Sequence, residues 1–163
     1  MARIERKYMA HFIDCATPES GEELYERLGD SLEEYTPELS AQVDKKRNIL
    51  GETSIIISGY EKTAEVATYY ADPDTELYNR LQEIVDRGLT MDSLHCHVVD
   101  VKLWNPLQED GYPAVRHEAY IEVKSYGGDA SGYQIPFTLH YTGKQDKGYF
   151  DVENRFFCAA EEE

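Results

Sequence analysis

The stretch IEVKSYGGDASGYQIPFTLH, residues 121–140, places Gly127, Gly128 and Gly132 between two alternating runs. Such a loop either cradles a phosphate or turns the chain. A phosphate loop joins a strand to a helix whose first free amides face the anion. The chain instead continues into YQIPFTLHY (133–141), in which Tyr133, Ile135, Phe137, Leu139 and Tyr141 recur with the period of a strand. Pro136 cannot donate to a ladder, so an edge or a bulge belongs at that point. No helix starts there. The glycines therefore turn a hairpin.

Working outward, HEAYIEVKSY (117–126) sets Ala119, Ile121 and Val123 against Tyr120, Glu122 and Lys124. Strand patterns also cover 8–13, 39–50, 52–60, 64–69 and LHCHVVDVKLW (94–104), and GYFDVENRFF (148–157) adds one or two more. Residues 39–60 form two strands with a hairpin or sharp bend near 48–52. One segment, ADPDTELYNRLQEIVDRGL (71–89), carries a helical signal. Asp72 fits the N-cap, Pro73 the first position and Gly88 the terminator, with Leu77, Tyr78, Leu81, Ile84 and Val85 on the apolar face. Residues 15–38 are acidic and turn-rich, and are expected to form a long loop or arm with a short helical piece around 22–28. The sum is a single domain over 1–163, mainly β: a β-sandwich or barrel of seven to nine strands with one flanking α-helix.

The formal charge is −16, from 16 basic and 32 acidic residues. A surface of that sign repels nucleic acid and anionic membrane. The odd, widely spaced Cys15, Cys96 and Cys158 read as reduced thiols of a protein made in a cytoplasm. The charged N-terminus has no apolar core of a secretion signal, and no apolar run is long enough to span a bilayer.

His95, Cys96 and His97 invite a metal reading, but on a strand Cys96 points away from the two histidines, and no further ligand can be placed from the sequence. Asp72, Asp74, Glu76 and Glu83 have calcium-loop spacing, yet Leu77 stands where the turning glycine is needed. No cofactor and no specific zinc, calcium or ATP binding is expected. No serine or cysteine has an identifiable base, so an enzyme is not expected. The basic run Lys45, Lys46 and Arg47 reads as a contact to a neighbouring acidic surface, with nucleic-acid contact as the lesser alternative.

Three segments resemble the major tail tube proteins of long-tailed bacteriophages and prophages: YERLGDSLEEYTPELSAQVDKKRNILGETSIIISGYE (25–61), ATYYADPDTELYNRLQEIVDRG (67–88) and AYIEVKSYGGDASGYQIPFTLHYTGKQDKGYFD (119–151). The pattern is a strand ending in K-K-N-I-L-G-E, another ending in S-G-Y-E, a Y-Y-A stretch leading into one helix, and a final S-Y-G-G-D…G-Y-Q-I-P-F hairpin. Arg47, between Lys46 and Asn48, is a small departure. The resemblance spans most of 25–157 and leaves out 1–24 and the acidic tail. It implies hexameric rings in which strands of six subunits close an inner β-barrel. The rings stack into a tube, in contact with other tail proteins, that conducts genomic DNA without binding it tightly. The location implied is the virion tail, after assembly in the host cytoplasm, with no membrane partner.

Within that reading the charge has a mechanical meaning. Duplex DNA presents about 60 phosphates per 100 Å, so an attraction of only about 0.1 kcal/mol each would total about 6 kcal/mol and hinder passage. Asp44, Glu52, Glu118 and Glu122 are the candidate acidic lumen, and Lys45, Lys46 and Arg47 the candidate inter-subunit contacts. The rival is a stand-alone β-sandwich that binds a small ligand or a protein.

Overall fold

In the computed structural model of the protein, residues 2–30 and 32–160 are described. The strands are β1 (Met9–Asp14), β2 (Tyr25–Leu28), β3 (Ala41–Arg47), β4 (Thr53–Tyr60), β5 (Thr63–Val66), β6 (His95–Lys102), β7 (Tyr112–Val123), β8 (Gly127–Asp129), β9 (Gly132–Gln134), β10 (Phe137–Asp151) and β11 (Phe156–Ala159). The one α-helix among the described residues is α1 (Glu76–Arg87). Seven strands make an antiparallel sheet in the order β11-β10-β7-β6-β1-β2, with β5 beside the first part of β10. The pairs β3–β4 and β8–β9 form separate two-stranded ribbons.

The glycine-rich loop is the β8–β9 hairpin. Ser131 N–H donates to Asp129 Oδ1 at 2.8 Å across its turn. Gly128 has φ +116°, and a side chain there would meet the Gly132 carbonyl oxygen at 2.5 Å. Pro136 falls in a break between β9 and β10, where its carbonyl accepts from Lys124 N–H at 2.9 Å. The run 133–141 is thus two strands and not one. Ile135, Phe137 and Leu139 are buried as the alternation requires, while Tyr133 turns outward to donate to Gln82 Oε1 at 2.8 Å.

The architecture is one curled sheet. Tyr25 on β2 and Phe150 on β10 lie far apart in the strand order, yet their rings meet edge-on at 5.5 Å. Phe12 on β1 also packs against Phe150, at 4.5 Å. The curl closes over a core of Ala10, Phe12, Tyr25, Val99, Val101, Ala114, Phe150 and Phe157.

A larger core lies on the other face of the same strands. Ile13, Val98, Cys96, Ala119, Ile121, Phe137 and Leu139 are buried there with Leu77, Leu81 and Ile84 of α1. The register explains how one strand serves two cores. Ile13 pairs with Val98 while the next pair, Phe12 with Val99, points to the opposite face. Each central strand therefore changes its buried face partway along.

Two local expectations are corrected. The segment around 22–28 is the edge strand β2, not a helical piece: Tyr25 and Leu28 are buried at its ends, and it pairs with β1 from His11↔Leu28 to Asp14↔Tyr25. The N-cap of α1 is Thr75, whose hydroxyl accepts from Tyr78 N–H at 3.3 Å, and not Asp72. Asp72 and Pro73 belong to the preceding turn, where Asp72 Oδ1 accepts from Asp74 N–H at 3.0 Å. Gly88 ends the helix in the left-handed conformation, as expected. Arg80, among the most buried side chains, caps backbone carbonyls instead of a carboxylate: it donates to Ala16, Ser93 and His95 oxygens.

Where β1, β6 and β7 run beyond the larger core, their shared face carries a buried polar cluster. His11 Nδ1 lies 2.6 Å from Asp100 Oδ1 and His117 Nε2 lies 3.1 Å from Asp100 Oδ2. Burial alone would raise the Asp100 pKa. The two histidine hydrogen bonds and charges outweigh it and hold the carboxyl well below its ordinary range. A folded pKa below the unfolded one gives stability that is complete above the unfolded value of about 3.9 and is lost as pH falls below it. Denaturant melts of the wild type should therefore weaken below about pH 4. Asp100→Asn should already cost about 3–5 kcal/mol at pH 7 and show a shallower acid slope. An unchanged slope would assign the acid sensitivity to other carboxylates.

Candidate functional site

The β3–β4 ribbon projects from the sheet with almost no cover. Every β3 residue is exposed, as is every β4 residue but Gly59. Ile55, Ile56 and Ile57 are each more than half exposed. At its base Glu61 N–H donates to the Ser40 carbonyl at 3.2 Å, and Glu38 pairs with Thr63 at the start of β5. At its tip Asn48 Oδ1 accepts from Leu50 and Glu52 N–H, which closes the turn.

Cross-strand partners share a face, so the register sorts the ribbon into two. Val43 opposes Ile57, Lys45 opposes Ile55 and Arg47 opposes Thr53, with Ala41 and Tyr60 continuing the row. The other face carries Asp44 opposite Ile56 and Lys46 opposite Ser54. One face is thus largely apolar with two cations, and the other mostly polar. The basic run is split between them, which no reading of K-K-R as a block could show. A two-stranded ribbon is marginal on its own in water, and an exposed β-branched row is an association surface.

The four acidic candidates do not converge. Asp44 and Glu52 lie on the ribbon, Asp44 on its mostly polar face and Glu52 at its tip. Glu118 and Glu122 lie on one face of β7, in the sheet. Glu122 is half-exposed and bonded to His140 at 2.7 Å and Lys124 at 3.3 Å; its pKa is lowered, first by the His140 hydrogen bond. Glu118 sits lower in the surface, with its carboxylate 3.6 Å from His95 Nε2.

His95 and His97 share a face, as the alternation requires, and Cys96 is buried beneath them in the larger core. Burial pushes the Cys96 thiol up to about 12, so it stays protonated at neutral pH. The histidine rings meet edge-on at 5.0 Å. The register then supplies what the sequence could not: Glu118 on β7 lies directly opposite His97. Burial, then Arg116 and His95, lower the His97 pKa, which favours the neutral ring. Among the described residues His95, His97 and Glu118 are the one group that brings three metal-ligand atoms together; Asp72, Asp74, Glu76 and Glu83 do not.

Compared with models of known protein families and with curated proteins, the chain matches none. No helix among the described residues is long and apolar enough to cross a membrane.

Because the ribbon side chains are exposed and lie outside both cores, Ile57→Asp should change the unfolding free energy of the isolated protein by no more than about 1 kcal/mol. Denaturant melts at low concentration check this. A loss above about 2 kcal/mol would mean that the ribbon is part of the chain's own core.

Proposed function

We propose that the chain is a structural subunit of a bacteriophage or prophage tail tube, forming stacked hexameric rings that conduct DNA during ejection. The observation that carries the reading is the bare β3–β4 ribbon, amphipathic by register and exposed almost throughout. It falls within the segment 25–61 that resembles tail tube proteins. Ribbons of six copies, set edge to edge, would close the inner barrel and satisfy their open backbone groups. The Val43, Ile55, Ile57 and Tyr60 row would then face the surrounding bodies, and the Asp44 face the channel. Lys45 and Arg47, beside the apolar row, meet acidic surface of the next subunit. The role is structural, without catalysis or cofactor, and its partners are other copies, other tail proteins and the passing DNA.

The channel this implies differs in one respect from a uniformly acidic wall. Asp44 stands on the same ribbon face as Lys46, so that face is close to neutral, and Glu52 adds charge only at the tip. A near-neutral polar wall still leaves little net attraction for phosphates. The exposed carboxylates Asp44 and Glu52 are the ones to exchange.

Negative-stain images and sedimentation of the concentrated protein test the assembly. Rings or tubes are expected, and Ile57→Asp should abolish them. Added salt should ease stacking, since each chain carries −16 and repulsion between rings is screened. Monomers under every concentration, salt and tail-initiator condition would instead favour the stand-alone binding module. In phage, Asp44→Lys with Glu52→Lys should permit tail assembly but slow DNA ejection, because each new lysine adds a phosphate contact. Normal ejection with both lysines in the channel would refute the low-friction wall.

A further inference from the structure

The same face of β6 and β7 that bears the histidine rings holds a ligand set that the tube reading does not use. His95 and His97 are two apart on β6, and Glu118 faces His97 across the ladder. One ligand atom from each lies within 4.8 Å of the others, and the His95–Glu118 pair is already at 3.6 Å. Tetrahedral zinc with bonds of about 2.0–2.1 Å separates its ligand atoms by about 3.3 Å. The ligand atoms therefore need to approach by at most about 1.5 Å, a distance on the scale of side-chain rotation. All three residues are part-buried, neither locked in the core nor loose on the surface.

The surroundings allow a cation. Arg116, which lines a hollow with His97 and Glu118, is engaged by Glu23 and Asp146, each at 3.1 Å. His97 and Glu118 line this open hollow of about 430 Å³ together with Gly143, Lys144 and Gln145. Three protein ligands with an open side toward solvent is the arrangement of a site that keeps one position for water. Two imidazoles and one carboxylate suit zinc and its first-row neighbours better than calcium or magnesium, which take all-oxygen sets.

We propose that His95, His97 and Glu118 form a binding site for one divalent transition metal ion of the zinc type, bridging β6 to β7. This replaces the expectation of no metal, which rested on the missing third ligand. It is independent of the tube reading, since it concerns a face of the sheet and not the ribbon.

The test is calorimetry of the full chain, stripped with chelator, against zinc chloride at neutral pH. One zinc per chain with micromolar or tighter affinity is expected. His97→Ala and the near-isosteric Glu118→Gln should each weaken it at least about tenfold, while Cys158→Ser leaves it unchanged. Zinc should raise the melting temperature of the wild type and not of those two variants. Cobalt should give the visible bands of a nitrogen and oxygen site without a thiolate charge-transfer band. Absence of saturable binding to the wild type would overturn the site. Binding that survives both ligand variants, or a thiolate band, would overturn it equally.

Discussion

The pairing of β7 with β10 is the constraint on which the rest of the structure depends. It runs from Phe137↔Val123 to Phe150↔Tyr112, interrupted by a bulge between Tyr141 and Gln145. At one end Leu139 and Ile121 bury together under the helix. At the other, Phe150 turns to the opposite face and meets Phe12 and Tyr25. The remaining strands inherit this diagonal. Because each central strand buries one face first and the other later, each face also has a polar end. His11, Asp100 and His117 occupy one such end, and His95, His97 and Glu118 the other. A twisted sheet that curls is the natural way to bury alternate faces in succession.

This explains which parts of the fold were legible. Strand character is local, so 9–14, 63–66 and 95–102 stand close to where the alternation puts them. The helix and its Gly88 end are local too, and so is the glycine hairpin. The change of buried face is not local. In β6 the run Val98, Val99 is simply apolar, and only the partner strands show that the two side chains enter different cores. The continuity of β10 through Thr142, Gly143 and Lys144 was hidden because those residues are exposed and carry no apolar alternation. β2 was hidden by its acidic setting, since just its two end residues are buried. Thr75 was the more informative cap signal, three residues before Tyr78 and just ahead of the apolar face. Arg80 gave none, because its partners are backbone carbonyls, which no residue type marks.

The candidate surfaces divide in the same way. That the ribbon strands exist follows from the sequence, and so does the alternation on each. That they pair only with each other is a property of the whole sheet. Glu118 as a third ligand beside His95 and His97 depends on a register between segments some twenty residues apart, which spacing does not encode. Sequence reasoning stops at the two histidines for that reason.

The ribbon also resolves an apparent conflict between charge and association. A chain at −16 should resist meeting its copies, yet the ribbon exposes a row of β-branched side chains. Its local charge has the opposite sign: Lys45, Lys46 and Arg47 outweigh Asp44 and Glu52. In the proposed tube, such an element of an otherwise acidic molecule would be attracted to the acidic body of another copy as well as to the neighbouring ribbon. At physiological salt the repulsion between distant surfaces decays within about 8 Å. Burying the half of Val43, Ile55 and Ile57 that is still exposed would contribute about 0.7–1.5 kcal/mol each at contact. In that proposed assembly, long-range charge would set which surfaces approach and short-range apolar contact would hold them. The excess acidity left on the body, away from the ribbon, would limit non-specific contacts and leave the ribbon as the preferred route to the proposed assembly.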